Sequence, residues 1–111
     1  MSFRLHCLLA LLAVSGCSLL NPPSPLRPTL AANNCQPVSV AKHNLAGIAH
    51  YKEQRLEPAR AEFLIAVEEG PKCAEAHYNL GLALMYMGEK DEARKHFMEA
   101  ADLAPGNQVI W

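Results

Sequence analysis

Residues 40–73, VAKHNLAGIAHYKEQRLEPARAEFLIAVEEGPKC, lie over residues 74–107, AEAHYNLGLALMYMGEKDEARKHFMEAADLAPGN, without a gap. The offset of 34 residues pairs His43 with His77, Gly47 with Gly81, Ala49 with Ala83 and Ala59 with Ala93, then Arg60 with Arg94, Phe63 with Phe97, Ala66 with Ala100 and Pro71 with Pro105. Small, aromatic and helix-breaking positions that agree at this period are the signature of a stacked array of helical hairpins. The fold class is therefore all-α.

Within each unit the breakers divide the text into two helices. Ser39 is placed to cap a first helix that carries Leu45, Ile48 and Ala49 and runs to about Gln54, the helical spacing reaching Leu56 in a break at Arg55 to Glu57. Pro58 suits the first turn of a second helix, where its missing donor costs nothing. That helix aligns Ala59, Phe63, Ala66 and Val67 and stops at Gly70-Pro71. A third helix, from about Ala74 to Gly88, carries Ala76, Leu80, Leu84 and Met87; a fourth carries Ala93, Phe97, Ala100 and Ala101 and ends at Ala104-Pro105-Gly106-Asn107. Gly47 and Gly81 fall in mid-helix, where glycine costs about 1 kcal/mol relative to alanine. Close approach of the paired helix supplies a reason.

These residues resemble the tetratricopeptide repeat. Leu80-Gly81, Ala93, Phe97, Ala100 and Pro105 stand where that family has leucine-glycine, alanine, aromatic, alanine and proline, and Ala46-Gly47, Ala59, Phe63, Ala66 and Pro71 do so in the first unit. The family's Trp near the repeat start is His43 and His77 here, and its first-helix Tyr is His50 and Leu84. The resemblance implies two antiparallel hairpins (40–73 and 74–107, within a domain 39–107) forming a fragment of a right-handed α-solenoid. It also implies a protein or peptide partner held on the inner face. Mapped onto this sequence that face is Asn44, Ile48, Tyr51 and Lys52, then Glu75, Tyr78, Leu82, Met85 and Tyr86. Tyrosine gives rigid amphipathic contact area and methionine adapts to irregular apolar partners. Packing of a terminal segment of the chain against this face is the competing expectation. Asn79 matches one position of the family's carboxylate-gripping version, but Ile48 stands where an asparagine would be needed, so that specificity is not carried over.

Two hairpins are a short array, since each buries its apolar face only against neighbours. Residues 108–111 begin a third unit in phase, with Trp111 in line with His43 and His77. Three readings follow: the chain is a fragment of a longer array, Val109, Ile110 and Trp111 fold back as a minimal cap, or the open edge is covered by another chain, including a second copy of this one; the expectation is the last two together.

The amino-terminal text is of a different kind. Arg4 gives a basic start and Leu5 to Val14 is apolar apart from His6. The run is short of the ~20 residues a spanning helix needs, and fits the apolar region of an export signal. Val14-Ser15-Gly16-Cys17 resembles the lipobox of bacterial lipoproteins. That resemblance implies cleavage of residues 1–16 and acylation, as with palmitate, of Cys17. Each buried methylene would add ~0.8 kcal/mol of membrane affinity. Ser18 after the cysteine implies the outer membrane and a periplasmic domain. Loss of Arg4 leaves nine basic against eleven acidic side chains, a charge of minus 2. Residues 18–38, with Pro22, Pro23, Pro25, Pro28 and Pro37, read as a disordered, extended tether.

Of the four cysteines, Cys7 would leave with the signal and Cys17 would carry lipid. Cys35 and Cys73 remain, at the same end of adjacent hairpins, and an oxidising compartment favours a disulfide between them. It would contribute roughly 3 to 4 kcal/mol by closing its loop.

Half the residues are apolar and the formal charge is minus 1, with basic and acidic side chains interleaved. That is no footprint for nucleic acid. No nucleophile, base and orienting group can be assembled into a catalytic set, so an enzyme is not expected. No cofactor is expected either. Among other classes, His43, His50, His77 and Cys73 could be metal ligands, which would make this a small metal or redox protein; His43 and His77 are however repeat-equivalent packing positions. The reading from residues and resemblance together is a lipid-anchored adaptor at the outer membrane. A more specific alternative resembles lipoproteins that assist assembly of type IV pili or secretion channels.

Overall fold

The computed structural model of the chain describes residues 25–107. The proposed signal peptide, Cys17 and residues 108–111 with Trp111 lie outside the described residues. Within them are four α-helices and no strand: α1 (Val38–Lys52), α2 (Leu56–Glu69), α3 (Ala74–Tyr86) and α4 (Lys90–Leu103). α1 packs on α2, α3 on α4, and α2 on α3, giving the two stacked hairpins that the 34-residue period predicts. No described helix is long and apolar enough to cross a membrane.

The hairpin geometry follows from the paired glycines. A Cβ placed on Gly47 would lie 2.5 Å from the ring of Phe63, and one on Gly81 would lie 2.7 Å from the ring of Phe97. Each aromatic ring of the second helix thus lies directly on the backbone of the first, and any side chain at the glycine would displace it.

Both first helices end in the same way. Arg55 N–H donates to the His50 carbonyl (2.9 Å) and Gln54 N–H to the Tyr51 carbonyl (2.9 Å). One repeat later, Glu89 N–H donates to Leu84 (2.9 Å) and Gly88 N–H to Met85 (3.1 Å). These are Schellman closures, which need a left-handed residue at the penultimate position. Gly88 supplies it at φ 88°, whereas the first repeat places Gln54 there at φ 61°.

The core is asymmetric. α3 is buried almost continuously from Ala76 to Leu84, because α2, α4 and the amino-terminal segment surround it. α1 buries only Val40, Asn44, Gly47, Ile48 and Tyr51. Leu45 and Ala49, expected on the buried stripe, face outward, and Leu45 is 68% exposed. The true stripe is set one position away by the aromatic–glycine contact. Ser39 does not cap α1 either: the helix opens from Pro37, whose carbonyl accepts the Val40 N–H at 2.9 Å. Pro58 sits third in α2, still ahead of the first i to i−4 bond, from Ala59 N–H to the Arg55 carbonyl (3.1 Å).

The largest departure concerns the expected tether. Residues 26–35 lie against the helices: Ala32 is 3% exposed, and Leu26, Leu30 and Cys35 pack on the core. Prolines forbid helix and central strand here, but an extended chain can still be gripped one peptide group at a time.

Candidate partner-binding groove

The groove between α1 and α3 is built around two asparagines. Asn44 and Asn79 are 1% and 0% exposed, and a buried amide without partners would cost roughly 1 to 3 kcal/mol per group. Their partners are each other and one residue of the segment. Asn79 Nδ2 donates to the Leu30 carbonyl (2.7 Å) and to Asn44 Oδ1 (2.8 Å), and Asn44 Nδ2 donates to the same Leu30 carbonyl (2.9 Å). Leu30 N–H returns a bond to Asn79 Oδ1 at 2.8 Å. Asn79 thereby engages both peptide groups of Leu30, as a neighbouring strand would.

Further along, the three tyrosines of the chain converge on Arg27. Tyr51 Oη donates to the Arg27 carbonyl (2.8 Å), Arg27 N–H donates to Tyr86 Oη (3.1 Å), and the guanidinium lies 5.9 Å from the centre of the Tyr78 ring. Burial, and then the neighbouring Tyr86 and Tyr78 hydroxyls, push the Tyr51 phenol well above the ordinary tyrosine range, with Arg27 opposing. Tyr51 therefore stays a proton donor. Tyr51 and Tyr86 rings meet at 6.1 Å, and Tyr78 packs on Phe97 at 5.5 Å. The Tyr78 hydroxyl is the one buried side-chain polar atom without a hydrogen-bond partner among the described residues.

The expected inner-face residues come together, but around the chain's own segment. Asn44, Ile48, Tyr51, Tyr78 and Leu82 are buried. Met85 is partly buried against the core, while Tyr86 and Lys52 remain on the rim. Arg27 and Leu30 were not among the expected site residues, and Asn79 matches the family's carboxylate-gripping position without that role being carried over. Asn79 aligns with Leu45 and Asn44 with Tyr78, so the asparagine pair is one residue out of phase with the repeat and invisible to the alignment.

At the end of the segment Cys35 and Cys73 form a disulfide with Cα atoms 5.5 Å apart. Glu75 Oε2 lies 3.4 and 3.6 Å from the two sulfurs, which as a disulfide have no proton to donate. These three residues are the grouping of potential metal ligands found among the described residues. With both sulfurs bonded to each other, neither is a thiolate ligand. His43 and His77 are engaged elsewhere: His43 Nδ1 contacts Glu62 Oε2 at 2.7 Å, and His77 stacks on His96. His77 Nε2 lies 2.8 Å from the Pro71 carbonyl and must donate to it, so in the neutral ring its Nδ1 accepts from His96 Nδ1 at 3.1 Å. Burial, followed by His77, lowers the affinity of His96 for a second proton, against the pull of Glu92 and Glu99.

Comparison with known proteins agrees with the architecture. The chain is 38% identical to mouse (Mus musculus) Superkiller complex protein 3 over 66 residues, which is 55% of this chain and 4% of that protein. It is 29% identical to Anaphase-promoting complex subunit 3 of Schizosaccharomyces pombe over 68 residues, 61% of this chain and 10% of that protein. The match thus spans a tenth or less of the length of these relatives. No solved structure matches the chain. Residues 74–107, the second hairpin, match the family model described as Tetratricopeptide repeat, and it is this family that the sequence and the four-helix fold support.

Proposed function

We propose that this chain is a protein-interaction module whose inner groove grips an extended segment of protein by its main chain, and that it works at a membrane surface to which Cys17 attaches it. Tetratricopeptide repeats mediate protein–protein interaction, and an adaptor role follows from that. The observation that carries the reading is the double engagement of Leu30 by Asn44 and Asn79. A groove that satisfies both peptide groups of an extended residue suits a strand-like ligand better than a helix, whose peptide groups are already paired internally. Met98 on α4 is 60% exposed, and this helix is offered for association with a further repeat or a second copy. The lipobox-like Val14-Ser15-Gly16-Cys17 supports placement on the periplasmic face of a bacterial outer membrane, and a role in assembling a pilus or secretion channel is the more specific version.

Photo-crosslinkers at Lys52 and Tyr86, on the groove rim, test the reading in the native envelope. The expected result is a defined protein adduct that is lost in the Asn79→Ala variant. Adducts confined to residues 25–34 of the same molecule, even when Arg27→Glu weakens the seating of that segment, would identify the groove as core and overturn it. Intact mass of the membrane-extracted protein tests the anchor: acylated Cys17 is expected, and a free thiol there removes the membrane from the proposal.

A further inference from the structure

The groove's bonds to main-chain atoms are blind to sequence. They fix the register of an extended ligand at two residues, the places of Arg27 and Leu30. Sequence must be read by side chains, and three kinds of contact do so. Leu26 and Leu30 are partly buried against the apolar core. Ala32 is 3% exposed, so a side chain at its place is enclosed by the fold and a small one suits it. Arg27 presents its guanidinium to the Tyr78 ring, and no carboxylate pairs with it among the described residues. The cation is held by an aromatic face, a contact that favours planar guanidinium over ammonium.

We infer that residues 26–32 are a pseudoligand, and that the groove selects, in other chains, an extended segment of the same chemistry: arginine with a leucine-like residue one place before it, another three places after, and a small residue two places further on. The inference rests on the reading of the groove as a segment-binding surface and names the segment. It also explains why a partner has to compete. A short linkage gives an intramolecular segment an effective concentration in the mM range, and the Cys35–Cys73 bond fixes the end of the segment beside α3. A free peptide with μM affinity is therefore largely excluded while the segment is seated.

The test uses the full oxidised chain with its segment spoiled and its groove intact, as the double variant Arg27→Glu, Ala32→Arg. The probe is a fluorescent peptide of residues 25–34, read by anisotropy, beside the same peptide carrying glutamate at the arginine. The double variant is expected to bind the native peptide at least ten-fold more tightly than the unaltered chain does, and the glutamate peptide roughly two- to five-fold more weakly than the native one, the size an exposed cation–π contact gives. Equal binding of the two peptides would overturn the arginine selection while leaving the groove a segment-binding surface. Binding of neither peptide by a variant that keeps its helical melt would overturn the pseudoligand inference; a crosslinked partner at Lys52 would still support the broader reading. If the double variant loses its fold, Arg27→Glu alone carries the same comparison.

Discussion

At the scale of single residues, the two repeats act as internal controls for each other. Gln54 and Gly88 close equivalent helices in left-handed conformation, and only one is glycine. A non-glycine residue there costs roughly 1 kcal/mol, so Gln54→Gly should raise the urea-denaturation stability by about 0.5 to 1 kcal/mol, a gain readable as a shifted midpoint at constant slope. Tyr78 offers a sharper sign. Its ring makes the contacts to Phe97 and Arg27 while its buried hydroxyl makes none. Tyr78→Phe should therefore leave stability unchanged or raise it by up to about 1 kcal/mol, because it removes an unsatisfied group; a clear loss in the melt would show that the hydroxyl has a partner in solution. Asn79→Ala leaves the Leu30 peptide groups and Asn44 Oδ1 without its bonds. Hydrogen exchange at the Leu30 amide should accelerate by one to two orders of magnitude, corresponding to roughly 1 to 3 kcal/mol, with much smaller change in α2 and α4.

At the scale of elements, each hairpin depends on a ring lying against a glycine. Gly81→Ala should destabilise by roughly 1 to 3 kcal/mol, as overpacking does, although alanine is the better helix former; the sign of the change in Tm decides whether packing or propensity dominates. α3 and α4 also meet through His77 and His96. The ordinary histidine value is about 6.5, and the folded value of His96 is lower. Below the ordinary value the unfolded chain then binds more protons than the folded one, so stability rises with pH in that window. The contribution is present above pH about 6.5 and is lost as pH falls through the folded value. The denaturant midpoint should drop between pH 7.5 and pH 5.5, and His96→Gln should flatten that part of the profile. These helices were legible in the sequence because period, aromatic–glycine pairing and breakers all encode local or neighbouring contacts. The groove's occupant was not. Leu26, Leu30 and Ala32 do fall on alternate positions of an extended chain, but the run is short and broken by Pro25 and Pro28, and a proline-rich extended chain reads the same in water as in a groove. The site was half legible: the tyrosines could be placed on the inner face, whereas the asparagine clamp joins two residues 35 positions apart across a 34-residue repeat.

At the scale of the whole molecule, two hairpins remain fewer than the three or more repeats that usually sustain such an array. Segment 26–35 adds a layer over the inner face, and the disulfide adds a covalent tie across 38 positions. The doubly substituted Cys35→Ser, Cys73→Ser chain should lose roughly 3 to 4 kcal/mol by the chain-entropy estimate, seen as a lowered midpoint in urea. The same tie also decides how the chain would carry mechanical load. Tension applied at Pro25 and drawn from Asn107 would peel the segment, reach Cys35 and cross directly to Cys73, leaving α1 and α2 outside the path of force. Extended, residues 35–73 would measure on the order of 130 Å at ~3.4 Å per residue, yet their ends are held 5.5 Å apart. Under oxidising conditions the first hairpin is slack stored in a closed ring, which only reduction would pay out.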